Sequence, residues 1–289
     1  MDPWLIVFGF GVGILVGSTG MGGGSLMTPL LILLFGVKPV VAVGTDLAYA
    51  AITKTTGGLL HLRKGTVQPR LAWWLALGSC PGAVLGVVLL ERLGLEDVLM
   101  PLIAGALLLT GALVLSRALL ANGAGERESV PLETRHKVAA VALGAIVGFV
   151  LGLTSAGSGT LIAIGLILGF RLLPRRVVGT DVFHAAVLLW VAAIAHLFSG
   201  NVDLLLAATI LIGSLPGVWL GTHLATRMPE RVLRPALGVV LLSAGLALLN
   251  EAGAHIPAAV IVAAPLALAA FSFLALTFVK PPFIVRTDP

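Results

Sequence analysis

GSTGMGGGSLMTP at residues 17–29 and GLTSAGSGTLIAI at residues 152–164 interrupt two apolar stretches with glycines and hydroxyls. They lie 135 residues apart, and Gly17, Thr19, Gly22 and Gly24 of the first register on Gly152, Thr154, Gly157 and Gly159 of the second. Each glycine weakens a helix by about 1 kcal/mol relative to alanine. Runs of this kind therefore divide residues 4–35 and 138–170 into halves of roughly 13 residues, too short to cross a bilayer alone.

A bilayer is the setting that composition demands. Hydrophobic residues make up 58% of the 289-residue chain and charged residues 11%, with a mean hydropathy of +1.09. Besides the two split segments, residues 40–62, 71–90, 98–116, 177–198, 204–225, 232–249 and 257–279 are apolar. Each comes close to the roughly 20 residues that a spanning helix needs. Met1, Asp2, Pro3 and Trp4 provide no basic leader of the kind that starts a removable signal. Cys80 is the single cysteine, which excludes a disulfide framework within the chain and CxxC redox chemistry. A net charge of +5 could attract nucleic acid, but the basic residues sit in short loops between spans. That pattern sets topology and does not call for a nucleic-acid partner.

The 135-residue offset extends well beyond the glycine runs. It places Gly44-Thr45-Asp46 on Gly179-Thr180-Asp181, His61-Leu62 on His196-Leu197, Gly65 on Gly200, Gly78-Ser79 on Gly213-Ser214, and Pro81-Gly82 on Pro216-Gly217. From Gly44 to Gly86, 17 of 43 positions are identical, more than shared greasiness explains. A first repeat at residues 1–120, a polar linker at 121–137 and a second repeat at 138–250 follow. Residues 251–289 add a further spanning helix and a tail.

Equivalent loops carry opposite charge bias. Arg63, Lys64 and Arg70 answer to a loop at 197–205 without Lys or Arg, whereas Lys38 alone answers to Arg171, Arg175 and Arg176. By the positive-inside rule the equivalent loops lie on opposite faces, so the repeats are inverted. Inversion needs an odd number of crossings per repeat, which makes each split segment a re-entrant hairpin. The competing arrangement is a continuous tilted helix with parallel repeats. Under the inverted reading, residues 62–70, the linker, 170–176, 225–234 and the tail with Lys280 and Arg286 are cytoplasmic, and the N terminus lies outside.

Irregular backbone at membrane depth persists only where protein or a water-filled cavity satisfies it. Two breaks therefore mark a polar site. If the second half-helices begin near Ser25 and Thr160, their free N–H groups and positive dipole ends form a place for an anion. The expected binding residues are Thr19, Gly22, Gly23, Gly24 and Ser25 with Thr154, Ser155, Gly157, Ser158, Gly159 and Thr160; Ser18 and Thr28 add hydroxyls. Asp46 and Asp181 lie seven residues beyond Pro39 and Pro174, and a carboxylate inside a spanning helix is a candidate proton carrier. His184 stands one turn beyond Asp181. Lys54 either pairs with Asp46 or faces the cavity as a counter-ion. His61 and His196 are expected near the interfaces, and Trp4, Trp73 and Trp74 in the headgroup belt.

Taken in order, the glycine breaks, AVGTDL and VVGTDV, HLRKGTV and HLFSGNVD, and GSCPGAVLG and GSLPGVWLG resemble the sulfite exporter TauE/SafE family along nearly the whole chain. The resemblance implies a bacterial inner-membrane permease for small anions, often sulfur-containing species such as sulfite or an organosulfonate. The expectation is an all-α membrane protein acting as a secondary transporter, and proton coupling through the two aspartates is open. No metal or other cofactor is expected, and the glycine runs lack the Gly-Lys-Ser/Thr ending of a nucleotide-binding loop. The partners are a small anion and the lipid bilayer, with a homo-oligomer left open. Two alternatives remain: an anion channel, and an intramembrane hydrolase using Ser158 with His184 or His196.

Overall fold

The computed structural model describes residues 3–19, 24–120, 127–130, 132–225 and 230–278. It is all-α. The first repeat contributes α1 (Pro3–Thr19), α2 (Gly24–Phe35), α3 (Pro39–Arg63), α4 (Pro69–Arg92) and α5 (Glu96–Leu120). The second contributes α6 (Thr134–Thr154), α7 (Ser158–Leu168), α8 (Pro174–Phe198), α9 (Leu204–Ala225) and α10 (Glu230–Leu249). A π-helical turn at Asn250–Ala254 leads to α11 (Ala258–Phe278). Pro39 and Pro174 open α3 and α8 at the first helical position, where a missing N–H costs nothing. Among the described residues, six helices are long and apolar enough to cross a membrane: α4, α5, α6, α8, α9 and α10. The protein is a multi-pass membrane protein.

The second glycine run breaks its helix between α6 and α7, α1 and α2 end and begin at Thr19 and Gly24 on either side of the first, and in each pair the following helix doubles back. Phe8 of α1 meets Phe35 of α2, with ring centroids 4.8 Å apart. In the second repeat, Gly165 of α7 lies against the Leu143 side chain of α6. Ser155 (φ 56°) and Gly157 (φ 90°) make that reversal in the left-handed region. The hairpin arms are less even than the expected halves of 13 residues: α1 and α2 have 17 and 12 residues, and α6 and α7 have 21 and 11. The long arm arises because α6 starts in the polar Thr134, Arg135, His136 and Lys137, ahead of the apolar stretch. At about 1.5 Å per residue, α6 is roughly 30 Å long, its first turn polar.

Glycine stripes fix how these hairpins pack. Gly9 and Gly13 of α1 face the backbone at Ile210 and Ser214 of α9, so these two helices run parallel and nearly touch. The mirrored pair, α4 and α6, meets in the same way through Gly82 on Ala145 and Gly86 on Phe149. Each hairpin is thus gripped by the other repeat, in the close approach that small residues permit in membranes. Helices that the offset makes equivalent meet antiparallel. Gly58 of α3 lies on Phe183 of α8 while Gly44 lies near His196, and Gly111 of α5 faces Leu242 while Leu115 faces Gly238 of α10.

The loops gather on two chemically unlike faces. On one, Arg176 donates to the carbonyls of Gly65 and Val67 and to Glu128, while the Arg127 N–H reaches the Arg171 carbonyl at 2.8 Å. On the other, Asn201 Nδ2 donates to Glu91 at 3.2 Å, and Lys38, Glu96, Asp97 and Glu251 border one cavity. We refer to these as the basic and acidic faces.

The glycine contacts yield a paired prediction. A Cβ on Gly9 would stand 2.6 Å from the Ile210 carbonyl oxygen, whereas one on Gly11 meets nothing within 4 Å. Gly9→Ala should destabilise the detergent-purified protein by about 1–3 kcal/mol, read as a fall in its thermal unfolding midpoint. Gly11→Ala should leave the midpoint unchanged or raise it slightly.

Candidate functional site

The duplicated Gly-Thr-Asp motif divides its labour by residue. Gly179 allows the Thr66 backbone to approach, its Cβ position lying 2.7 Å from the Thr66 carbonyl oxygen. Thr180 Oγ1 then accepts from the Gln68 N–H at 3.0 Å. The mirrored residues do the same, with Gly44 against Asn201 and Thr45 Oγ1 accepting from the Asp203 N–H at 3.0 Å. Both hydroxyls serve a backbone donor just ahead of a helix of the opposite repeat, where such donors lack helical partners. The duplicated His-Leu and glycine nearby close the helices. Thr66 and Asn201 N–H groups return to the carbonyls of His61 and His196, across Gly65 (φ 65°) and Gly200 (φ 75°).

The third residue of the motif faces the breaks. Asp46 is fully buried, and its Oδ2 accepts from Thr28 Oγ1 of α2 at 2.6 Å and from Ser155 Oγ of the second break at 2.9 Å. One carboxylate oxygen therefore joins both hairpins. Beside it, the Gly157 N–H donates to Ser25 Oγ at 3.3 Å. Ser155 holds a left-handed conformation that is uncommon without glycine, and its bond to Asp46 helps hold it there. Asp46 Oδ1 makes no hydrogen bond among the described residues. Asp181 stands at the start of α7, its Oδ2 lying 3.4 Å from the Cβ position of Gly159. Both carboxylates thus sit beside the half-helices whose N-terminal ends are expected to hold the anion.

Other expected residues go elsewhere. Thr154 Oγ1 donates to the Val150 carbonyl at 2.8 Å and accepts from the Ala156 N–H of the break at 3.3 Å, while Thr160 is buried. Gly22 and Gly23 lie outside the described residues, as do the side chains of Ser18, Thr19 and Ser158 and the burial of Gly24. Lys54 does not pair with Asp46; eight residues along one helix is about 12 Å, and Lys54 makes no ion pair among the described residues. His196 is buried instead of interfacial, because its Nε2 lies 2.8 Å from the Gly152 carbonyl oxygen, which it satisfies. His184 Nε2 lies 2.8 Å from Ser79 Oγ, so the Nε2 atoms of both histidines considered as a base for Ser158 are engaged elsewhere.

Two participants carry little signal in the sequence. Ser79 stands out only as a repeated letter, yet it orients His184, while in the mirrored place Ser214 stands beside Tyr49. Thr110 of α5 carries a buried hydroxyl without a partner among the described residues, beside Gly157. Its mirrored residue is Gly245, so the repeat gives no sign of it.

A membrane-embedded centre built from two broken hairpins defines the class of protein, and comparison with known proteins places the family. Residues 5–248 match the model of the sulfite exporter TauE/SafE family, and the chain belongs to that family. It is 38% identical over 256 residues to the probable membrane transporter protein YjnA of Bacillus subtilis (strain 168), covering 86% of this chain and 100% of that protein. It is 31% identical over 245 residues to the probable membrane transporter protein YdhB of the same strain, covering 85% and 99%. No solved structure matches.

If Thr28 and Ser155 bond the Asp46 carboxylate, their effects must depend on it. Thr28→Val and Ser155→Ala should each cost about 1–3 kcal/mol of stability, and distinctly less in an Asp46→Ala background. Unfolding titrations of the four-variant cycles, two hydroxyl deletions each with and without Asp46, check this.

Proposed function

We propose that the chain is a secondary transporter that moves a small, sulfur-containing anion such as sulfite or an organosulfonate by alternating access around the two breaks. The observation that carries this reading is the single oxygen of Asp46 shared by hydroxyls of both hairpins. Family membership supports the anion class, and the relatives' names support transport. A carrier, not an enzyme, is the reading. Inverted repeats are supported by the antiparallel meeting of equivalent helices, α3 with α8 and α5 with α10. The basic face is then cytoplasmic and the N terminus outside, in a bacterial inner membrane.

The donors at the centre imply a mechanism. Hydroxyls of Thr28 and Ser155 can serve the Asp46 carboxylate or an incoming oxyanion, but not both charges side by side. Two like charges about 4 Å apart repel by about 4 kcal/mol at an effective dielectric near 20, roughly a thousandfold in affinity. Protonating Asp46 removes that repulsion and weakens its hold on the hydroxyls, so the anion binds with a proton. Release of both lets the carboxylate recapture Thr28 and Ser155 and draws the hairpins together again. Asp181, at the start of α7, serves the same exchange from the second repeat. A channel reading gives the bonding across the breaks no role.

Reconstituted protein tests this directly. Radiolabelled sulfite, sulfate, thiosulfate and sulfoacetate are offered to proteoliposomes under imposed pH gradients. Saturable uptake of one anion, accelerated by external acid, is expected, with Asp46→Asn and Asp181→Asn losing the response to the gradient. The absence of flux above empty vesicles for every anion, in folded protein, contradicts the substrate class.

A further inference from the structure

The two repeats differ where their likeness would matter most. Lys54 lies on α3 one turn before Gly57 and Gly58, where α3 meets α8 at Val182 and Phe183. It is 8% exposed. It makes no ion pair or hydrogen bond among the described residues, and His184 directly follows Phe183, the α8 residue on which Gly58 packs. His184 is buried on α8, with Nε2 against Ser79 Oγ and Nδ1 unpartnered among the described residues. If the Ser79 hydroxyl donates to Nε2, Nδ1 carries the proton and is itself a donor. A lysine this buried calls for an anion, and among the described residues no carboxylate stands within ion-pair distance of it.

We infer that Lys54 and His184 form the counter-ion station for the transported anion, and that this station makes anion binding tighter from the basic face than from the acidic face. The inference rests on the anion-transport reading above and adds the charge that the substrate meets and its sidedness. The offset places Leu189 opposite Lys54 and Tyr49 opposite His184. His184 lies ten residues into α8 from its basic-face end, and Tyr49 ten residues into α3 from its acidic-face end. An anion arriving from the basic face therefore meets an ammonium and an imidazole N–H. One arriving from the acidic face meets a phenol and an aliphatic side chain. At exchange equilibrium a carrier must have the same ratio of maximal rate to KM on both sides, so the tighter side is also the slower one.

Counterflow of sulfite, thiosulfate and sulfate, measured in proteoliposomes oriented by a protease-removable tag on the basic face, gives KM for each side. In the wild type, KM from the basic face should be at least tenfold below that from the acidic face. Lys54→Leu, which installs the residue of the other repeat, should bring the two values within about threefold, and Lys54→Arg should keep them apart. Should Lys54→Leu fail to fold, Leu189→Lys provides the reciprocal variant and should lower KM from the acidic face. His184→Tyr should raise KM from the basic face with Lys54 intact. Equal KM values on both sides of the wild type, or a sidedness that survives Lys54→Leu, overturns this inference while transport stands. No counterflow of any of the three anions in folded wild type overturns the transport reading and this inference with it.

Discussion

Backbone amides and carbonyls inside a bilayer must find partners, and this membrane protein turns α6 back into α7 through Ser155 and Gly157 among its apolar helices. Side chains of the two repeats bond one another beside the second break, with Asp46 as the node. Its Oδ2 ties Thr28 of α2 to Ser155 of the opposite repeat, and Ser25 accepts from the N–H of Gly157 close by. A carboxylate is an expensive residue to bury in a membrane. Under the proposed function it takes the place of the anion, so that one bond network serves both stability and transport.

The rest of the fold holds that centre between the two repeats. α1 runs along α9 and α6 along α4 on glycine contacts, so each hairpin rides on a helix of the other repeat. Thr45 and Thr180 anchor the loops across the same boundary. The clasps at the two faces are alike in backbone but unequal in charge. Arg176 binds Glu128 and two carbonyls on the basic face, where the acidic face has Asn201 on Glu91. In the alternating access proposed above, rocking of one repeat on the other exchanges these clasps while Asp46 releases and recaptures its hydroxyls.

Much of this is legible in the amino-acid sequence, and for identifiable reasons. The apolar stretches set the helices within a few residues, since Pro39 and Pro174 start α3 and α8 and the glycines at 65 and 200 follow their ends. The hairpins are legible because clustered glycines weaken a helix. Their unequal arms are not, because Thr134, Arg135, His136 and Lys137 have the composition of a linker while the backbone is already helical. Asp46 is visible as a charge out of place; its partners depend on tertiary contact over 18 and 109 residues of chain. His196 looks interfacial from its place near a helix end, yet packing buries it against the Gly152 carbonyl. Thr110 has no mirrored residue to mark it.

The central claim is that an anion takes the hydroxyls of Thr28 and Ser155 only when Asp46 is protonated. Infrared difference spectroscopy of the membrane-reconstituted protein, with and without the transported anion, reads the carboxyl group itself. The account predicts that anion binding raises a protonated-carboxyl C=O band that shifts in deuterated water and is missing from Asp46→Asn. Binding without that band, or with a band that Asp46→Asn retains unchanged, would contradict it.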